Sequence, residues 1–219
     1  NYLGDAFGAS FSLQSSIKFA VHPWLGAQSW VLVKLFNSNG WAAYNMNGGQ
    51  GLPTTGTLTF SGTPDVNGSE AAGQIKFSRD GRRVANTLPG AGGFDYLTFD
   101  CMTGRTGPAI SVLLPELENA FGLEFSPDDR YLYVSTYGKP SRVWQFDLEA
   151  GNDAAAIANS RVLLAEHPAL HGFGYLQLAR NGKIYVAMNP EGTGSNALSV
   201  IHRPNEAGVQ CLFQERAQS

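Results

Sequence analysis

The chain has 219 residues, 43% of them apolar, and 15 Lys and Arg against 18 Asp and Glu leave a net charge of −3. That balance, with no cluster of Lys or Arg, gives no electrostatic footprint for nucleic acid or an anionic membrane. The longest apolar stretches, such as Trp30 to Val33 and Tyr131 to Val134, fall far short of the roughly 20 residues of a membrane helix, so no membrane span is expected.

Low charge (15%), 26 glycines and abundant aromatics suit an exported β-protein, extracellular or at the cell surface. The first residue is Asn1 and no basic, apolar signal segment follows, so any targeting peptide is expected to have been removed or to lie outside this sequence. Two cysteines, Cys101 and Cys211, leave a bridge or two semi-buried thiols equally open.

In chain order, Asn1 to Ser16 predicts one short edge strand and a loop, finishing a blade begun elsewhere. Ile17 to Val21 alternates, His22-Pro23 is a turn and Ser29 to Phe36 a strong strand. Asn37 to Gly40 turns, Trp41 to Asn45 resumes the sheet, and a Gly/Pro loop from Gly48 to Thr55 precedes Leu58 to Ser61. After a polar connection, Ile75 to Phe77, Arg82 to Ala85, Phe94 to Phe99 and Ala109 to Leu114 predict four more strands. Phe121 to Asp147 holds the clearest hairpin. Leu123 and Phe125 alternate with Glu124, Ser126-Pro127-Asp128-Asp129 turns, and Tyr131 to Ser135 is aromatic and β-branched. Asp128 and Asp129 are expected to bond back to nearby N–H groups of their own turn. Arg142 to Leu148 and Arg161 to Ala165 complete that unit, and the Ala-rich Asn152 to Asn159 is the one place suited to a helical turn. Leu176 to Leu178, Lys183 to Met188, Ala197 to His202 and Gln210 to Gln214 predict the last four strands.

The hairpin recurs. Ile75, Phe77 and Asp80 stand 48 residues before Leu123, Phe125 and Asp128, and Leu176, Leu178 and Asn181 stand 53 after. A period of about 40 to 50 residues with several strands and no helical stripe is the signature of propeller blades. The predicted fold is an all-β propeller of four-stranded antiparallel blades, about 17–61, 73–114, 121–165 and 174–214, treated as a single domain or a contiguous part of a larger ring.

Four segments carry a resemblance: IKFAVHPWLGAQSWVLVKLFNSNGWAAY, GQIKFSRDGRRVA, FGLEFSPDDRYLYVS with VWQFDLEAG, and LQLARNGKIYVAMN with LSVIHRPNEAGVQCLF. Together they resemble the propeller domain of exported Bacteroidetes surface proteins that bear gliding-motility-associated or type IX secretion sorting domains. Ile201, Pro204, Asn205, Gly208 and Cys211 are the most specific part. The resemblance implies later blades of a larger ring, surface display, and no catalytic residues to carry over. Partners would be a protein or glycan at the cell surface and other domains of the same polypeptide.

Lys76, Glu124 and Gln177 occupy one slot in three successive innermost strands, which places them at similar depth as candidate blade-interface residues with a structural role. No cofactor or metal is expected: the repeated turn carboxylates spread around a ring rather than converging, and the four histidines are scattered. No nucleophile elbow or phosphate loop stands in a strand-to-helix context. Candidate binding residues are therefore loop residues: Trp41, Phe94, Tyr137, Arg142, His167, His171 and Phe173, with Trp24 beside them. The leading expectation is a non-enzymatic adhesion, interaction or structural scaffold. The alternatives are a lactonase-type propeller hydrolase acting on a sugar lactone at the central channel, since lactonase propellers share the Phe-Ser-Pro-Asp hairpin, and a structural subunit of a surface assembly.

Overall fold

The computed structural model describes residues 15–23, 29–46, 56–66, 68–168, 172–188 and 197–218. The edge strand expected before Ser15 and the loop expected from Gly48 to Thr55 lie outside them. The described residues form four antiparallel four-stranded sheets, each built from consecutive strands: four β-propeller blades. The first holds β1 (Ser15–Val21), β2 (Trp30–Leu35), β3 (Gly40–Asn45) and β4 (Thr57–Phe60). The second holds β5 (Ile75–Phe77), β6 (Arg83–Leu88), β7 (Gly93–Asp100) and β8 (Arg105–Leu113). The third holds β9 (Ala120–Phe125), β10 (Tyr131–Thr136), β11 (Ser141–Asp147) and β12 (Val162–His167). The fourth holds β13 (Leu176–Leu178), β14 (Ile184–Ala187), β15 (Leu198–Ile201) and β16 (Phe213–Gln218).

Among the described residues helix is confined to short pieces. Asp153 caps α1 (Ala154–Asn159) by accepting from Ala156 N, and Ile157 of that helix plugs the core between the second and third blades. The last strand starts later than the sequence pattern predicts: Gly208–Cys211 is one 3-10 turn, and β16 begins at Phe213. The turn drops Cys211 into the core beside Tyr133, and Leu212 takes a left-handed conformation (φ 54) to leave it. Both cysteines are free thiols.

Three apolar clusters join successive blades. Trp30, Leu32 and Trp41 pack on Ile75, Val84 and Phe99. Phe94 meets Phe146 at 5.0 Å beside Leu123 and Leu132. Tyr133 and Val143 pack on Leu176, Ile184 and Ile201. Fixed polar joints sit beside them. Thr87 Oγ1 accepts from Gln74 N at 2.9 Å and donates to Phe121 O of the next blade; Ser135 Oγ accepts from Gly122 N at 3.0 Å and donates to Gly174 O at 2.6 Å. In the second and third blades the residue beside this hydroxyl must leave it room. Gly73 (φ 96) and Gly122 do so, since a Cβ at either would collide with it or with the neighbouring carbonyl.

Candidate functional site

Antiparallel order fixes which loops share an end of the propeller. The turns joining first to second strands lie at one end; the loops joining second to third strands, and each blade to the next, lie at the other. Between them the innermost strands β1, β5, β9 and β13 line a cavity of about 530 Å³, with Lys76, Glu124 and Gln177 in its wall. Lys76 Nζ lies 3.0 Å from Glu124 Oε2 and donates to Gln177 Oε1 at 2.8 Å, joining three blades.

An innermost strand is an edge strand whose outer N–H groups point at the channel, and each needs an acceptor. Glu124 supplies one: besides the ion pair it accepts from Leu178 N at 2.9 Å and from Phe125 N at 3.1 Å. Gln74 supplies two more, accepting from Leu123 N and Leu176 N, both at 3.0 Å, while its amide donates to Leu176 O at 3.2 Å. One side chain of the second blade thus ties the third and fourth blades at the axis. Nothing in the sequence pattern marks Gln74; its role depends on three strands converging within reach of one amide.

Turn carboxylates divide into two kinds. Asp80, Asp128 and Asn181 accept from the N–H two residues on, of Arg82, Arg130 and Lys183. Asp129 does not bond within its own turn as the sequence suggests. Its Oδ1 accepts from Arg79 N at 2.6 Å and its Oδ2 from Asp80 N at 3.0 Å, across the interface to the preceding blade. Burial pushes its carboxyl above the usual range although both N–H groups pull the other way. His22 makes the analogous contact one blade earlier, its Nε2 3.0 Å from Gly81 O.

A buried ionic cluster joins the first two blades. Lys18 Nζ donates to Thr87 O at 2.6 Å and to Asn86 Oδ1 at 3.2 Å. Lys34, fully buried, donates to Ser38 O and Thr63 O and stands 5.0 Å over the Trp41 ring. Burial pulls Lys18 down to about 7 and Lys34 to about 8. The acids Asp65, Glu70 and Asp95 face them, each accepting at least one backbone N–H. Among the described residues no three His, Cys, Asp or Glu side chains gather as a metal site.

The loop candidates separate on burial. Trp41, Phe94 and Phe173 are fully buried. This corrects their reading as surface binders: Trp41 Nε1 donates to Ser61 O at 3.0 Å, and the two phenyl rings fill the clusters between blades. Their aromatic bulk beside a turn belongs to the core. Arg142 pairs with Glu166 at 2.8 Å across one sheet, and His167 lies 3.7 Å from Glu215 and edge-on to Phe173. His171 and Trp24 lie outside the described residues. Tyr137 remains at the surface, half-buried, in a group the sequence did not single out. Its ring stands edge-on to Phe121 at 5.0 Å, and Phe121 stacks on Tyr175 at 4.6 Å with the planes 7° apart. Tyr175 is 47% exposed. Phe121 and Tyr175 stand at the entrance of β9 and β13, so the stack sits at the loop end near the axis.

No family model matches the chain, and none of the curated proteins does. Solved structures do. A candidate 6-phosphogluconolactonase from Bacteroides uniformis is 16% identical over 86% of this chain and 50% of its own, with a TM-score of 0.58. A candidate TolB from Agrobacterium tumefaciens gives 16%, 96%, 64% and 0.57, and streptogramin B lyase 13%, 92%, 54% and 0.56. The shared fold is the β-propeller. At such identities the likeness shows the fold alone, and the chain spans about half the length of the lactonase-like propeller it matches.

Proposed function

We propose that this chain is a non-enzymatic propeller module of an exported bacterial surface protein, a scaffold that engages a cell-surface glycan or protein through its loop end. One observation carries the reading: the polar side chains Gln74, Lys76, Glu124 and Gln177 at the channel wall are engaged in holding strands and one another, and the Glu124 carboxylate has three partners of its own. A general acid or base must reach a substrate proton, and this carboxylate is spoken for by structure. The resemblance of four segments to Bacteroidetes surface propellers supports the exported setting. The exposed Tyr175 on Phe121 supplies what a saccharide ring or an apolar side chain stacks on.

A glycan array probed with the purified chain tests this. Tyr175→Ser is expected to lower binding about tenfold, the loss of roughly 1.4 kcal/mol, with the circular dichroism spectrum unchanged; equal binding by this variant sinks the assignment. A lactonase reading draws on the convergence of Lys76, Glu124 and Gln177 and on the lactonase-like propellers among the structures with this fold. Hydrolysis of a sugar lactone above background, abolished by Glu124→Gln in a folded protein, would replace the scaffold reading with that one.

A further inference from the structure

The four innermost strands share one hydrogen-bonding phase. His22 N donates to Trp30 O at 2.8 Å, Ser78 N to Arg83 O at 3.0 Å, Ser126 N to Tyr131 O at 2.8 Å and Ala179 N to Lys183 O at 2.9 Å, so each hairpin closes in the same way. The alternation of an antiparallel ladder then turns the preceding N–H groups, those of Val21, Phe77, Phe125 and Leu178, toward the axis. One residue further back, Ala20, Lys76, Glu124 and Gln177 occupy a common slot. Between the third and fourth blades a single carboxylate in that slot serves two axial N–H groups. Glu124 Oε1 accepts from Phe125 N of its own blade at 3.1 Å, and Oε2 accepts from Leu178 N of the next at 2.9 Å. Between the first and second blades the slot holds Ala20, which carries no acceptor, and Lys76 of the second blade can only donate. Among the described residues nothing accepts from Val21 N or Phe77 N. Ala20, Val21 and Phe77 all line the 530 Å³ channel cavity.

We infer that the channel binds a ligand carboxylate between the first and second blades, one oxygen on Val21 N and the other on Phe77 N, in the manner of Glu124 between the third and fourth. This site is separate from the loop-end stack and does not rest on the function proposed above. Outward N–H groups along a strand edge gather anions, and a carboxylate answers both donors at once with charge-assisted bonds. The charges of the cavity favour it. Lys18, Lys76 and Arg79 line the wall against Glu124 and Asp129. Glu124 is matched by Lys76 at 3.0 Å, and Asp129 is held by Arg79 N and Asp80 N. Arg79 is exposed, and among the described residues its guanidinium has no ion-pair partner. Phe19 and Pro23, both exposed, stand on the same wall and suit an apolar body behind the carboxylate. The ligand class is therefore a monocarboxylate with an apolar body, in a cavity within the usual range for small-molecule sites.

Amide NMR of the nitrogen-15-labelled 219-residue chain, titrated with benzoate, tests this. The expected result is a saturable downfield movement of the Val21 and Phe77 amide protons, absent with benzyl alcohol, which has the ring without the charge. Ala20→Glu sets a side-chain carboxylate in the slot. It should weaken benzoate binding about tenfold or more and raise the urea midpoint, because the chain then supplies the acceptor itself. Arg79→Ala, at an exposed position where folding is spared, should weaken binding by a smaller factor, so the test stands even if Ala20→Glu fails to fold. Val21 and Phe77 amides that benzoate leaves unmoved overturn the inference. So do equal movements with chloride at the same ionic strength, which would reduce the effect to the field of the basic side chains, or full benzoate affinity in folded Ala20→Glu.

Discussion

Lys18 and Lys34 carry the largest downward shifts among the lysines, and burial is the cause in both. In the unfolded chain each titrates near 10.5, in the folded chain near 7 and 8. Below pH 7 both states hold the protons and the desolvation cost stands in full. Between about pH 7 and 10 the folded chain releases protons that the unfolded chain keeps, so these lysines make stability rise with pH across that window. Tyr133, whose phenol burial pushes up, reverses the trend above about pH 10. Urea midpoints measured through this range should climb, and Lys18→Met should flatten the lower part of the climb whatever it does to the absolute midpoint; an unchanged slope counts against the buried ammonium. At the channel, Glu124→Ala removes the partner of Lys76 and leaves Leu178 N without an acceptor. The expected loss is about 1–3 kcal/mol in urea unfolding, with Glu124→Gln losing less. Residue roles were unevenly legible in the sequence. The common slot of Lys76, Glu124 and Gln177 followed from repeat offset and strand period. Trp41, Phe94 and Phe173 read as loop aromatics because a turn lies next to each, while depth depends on which way the following strand faces.

At the scale of elements, the hairpin turns do more than reverse the chain. Asp129 takes a positive φ of 63 and reaches the turn of the previous blade, where Gly81 (φ 71) stands in the matching place. Asp129→Ala should cost about 1–3 kcal/mol by leaving two N–H groups without acceptors, and Asp129→Asn, which keeps one acceptor and tolerates the left-handed region, should recover part of it. A calorimetric comparison of the three proteins checks the ordering; equal losses in both variants would mean that neither the remaining acceptor nor the left-handed backbone sets the cost, and would count against the bridging bonds. The repeating strand, turn and strand made the blades readable, because local alternation and turn chemistry point to the same pairing. The 3-10 turn at Gly208–Cys211 was not readable. Its cause is a distant cavity for Cys211 rather than any local preference.

At the scale of the whole molecule, the periodic pattern conveyed an all-β propeller, and the solved propellers agree in fold at 13–16% identity. The axial tie made by Gln74 has its own consequence for how such a ring can change over time. A ring of repeats lengthens by duplicating a repeat. A copy inserted between the second and third blades would carry both Leu123 and Leu176 away from the Gln74 amide, and one between the third and fourth would carry Leu176 away, leaving two N–H groups or one without that acceptor. A copy added outside that span leaves the joint whole. Descendants of this chain that gain or lose blades should therefore do so outside that span, beside the first blade or beyond the fourth, and keep the second to fourth as an inherited block.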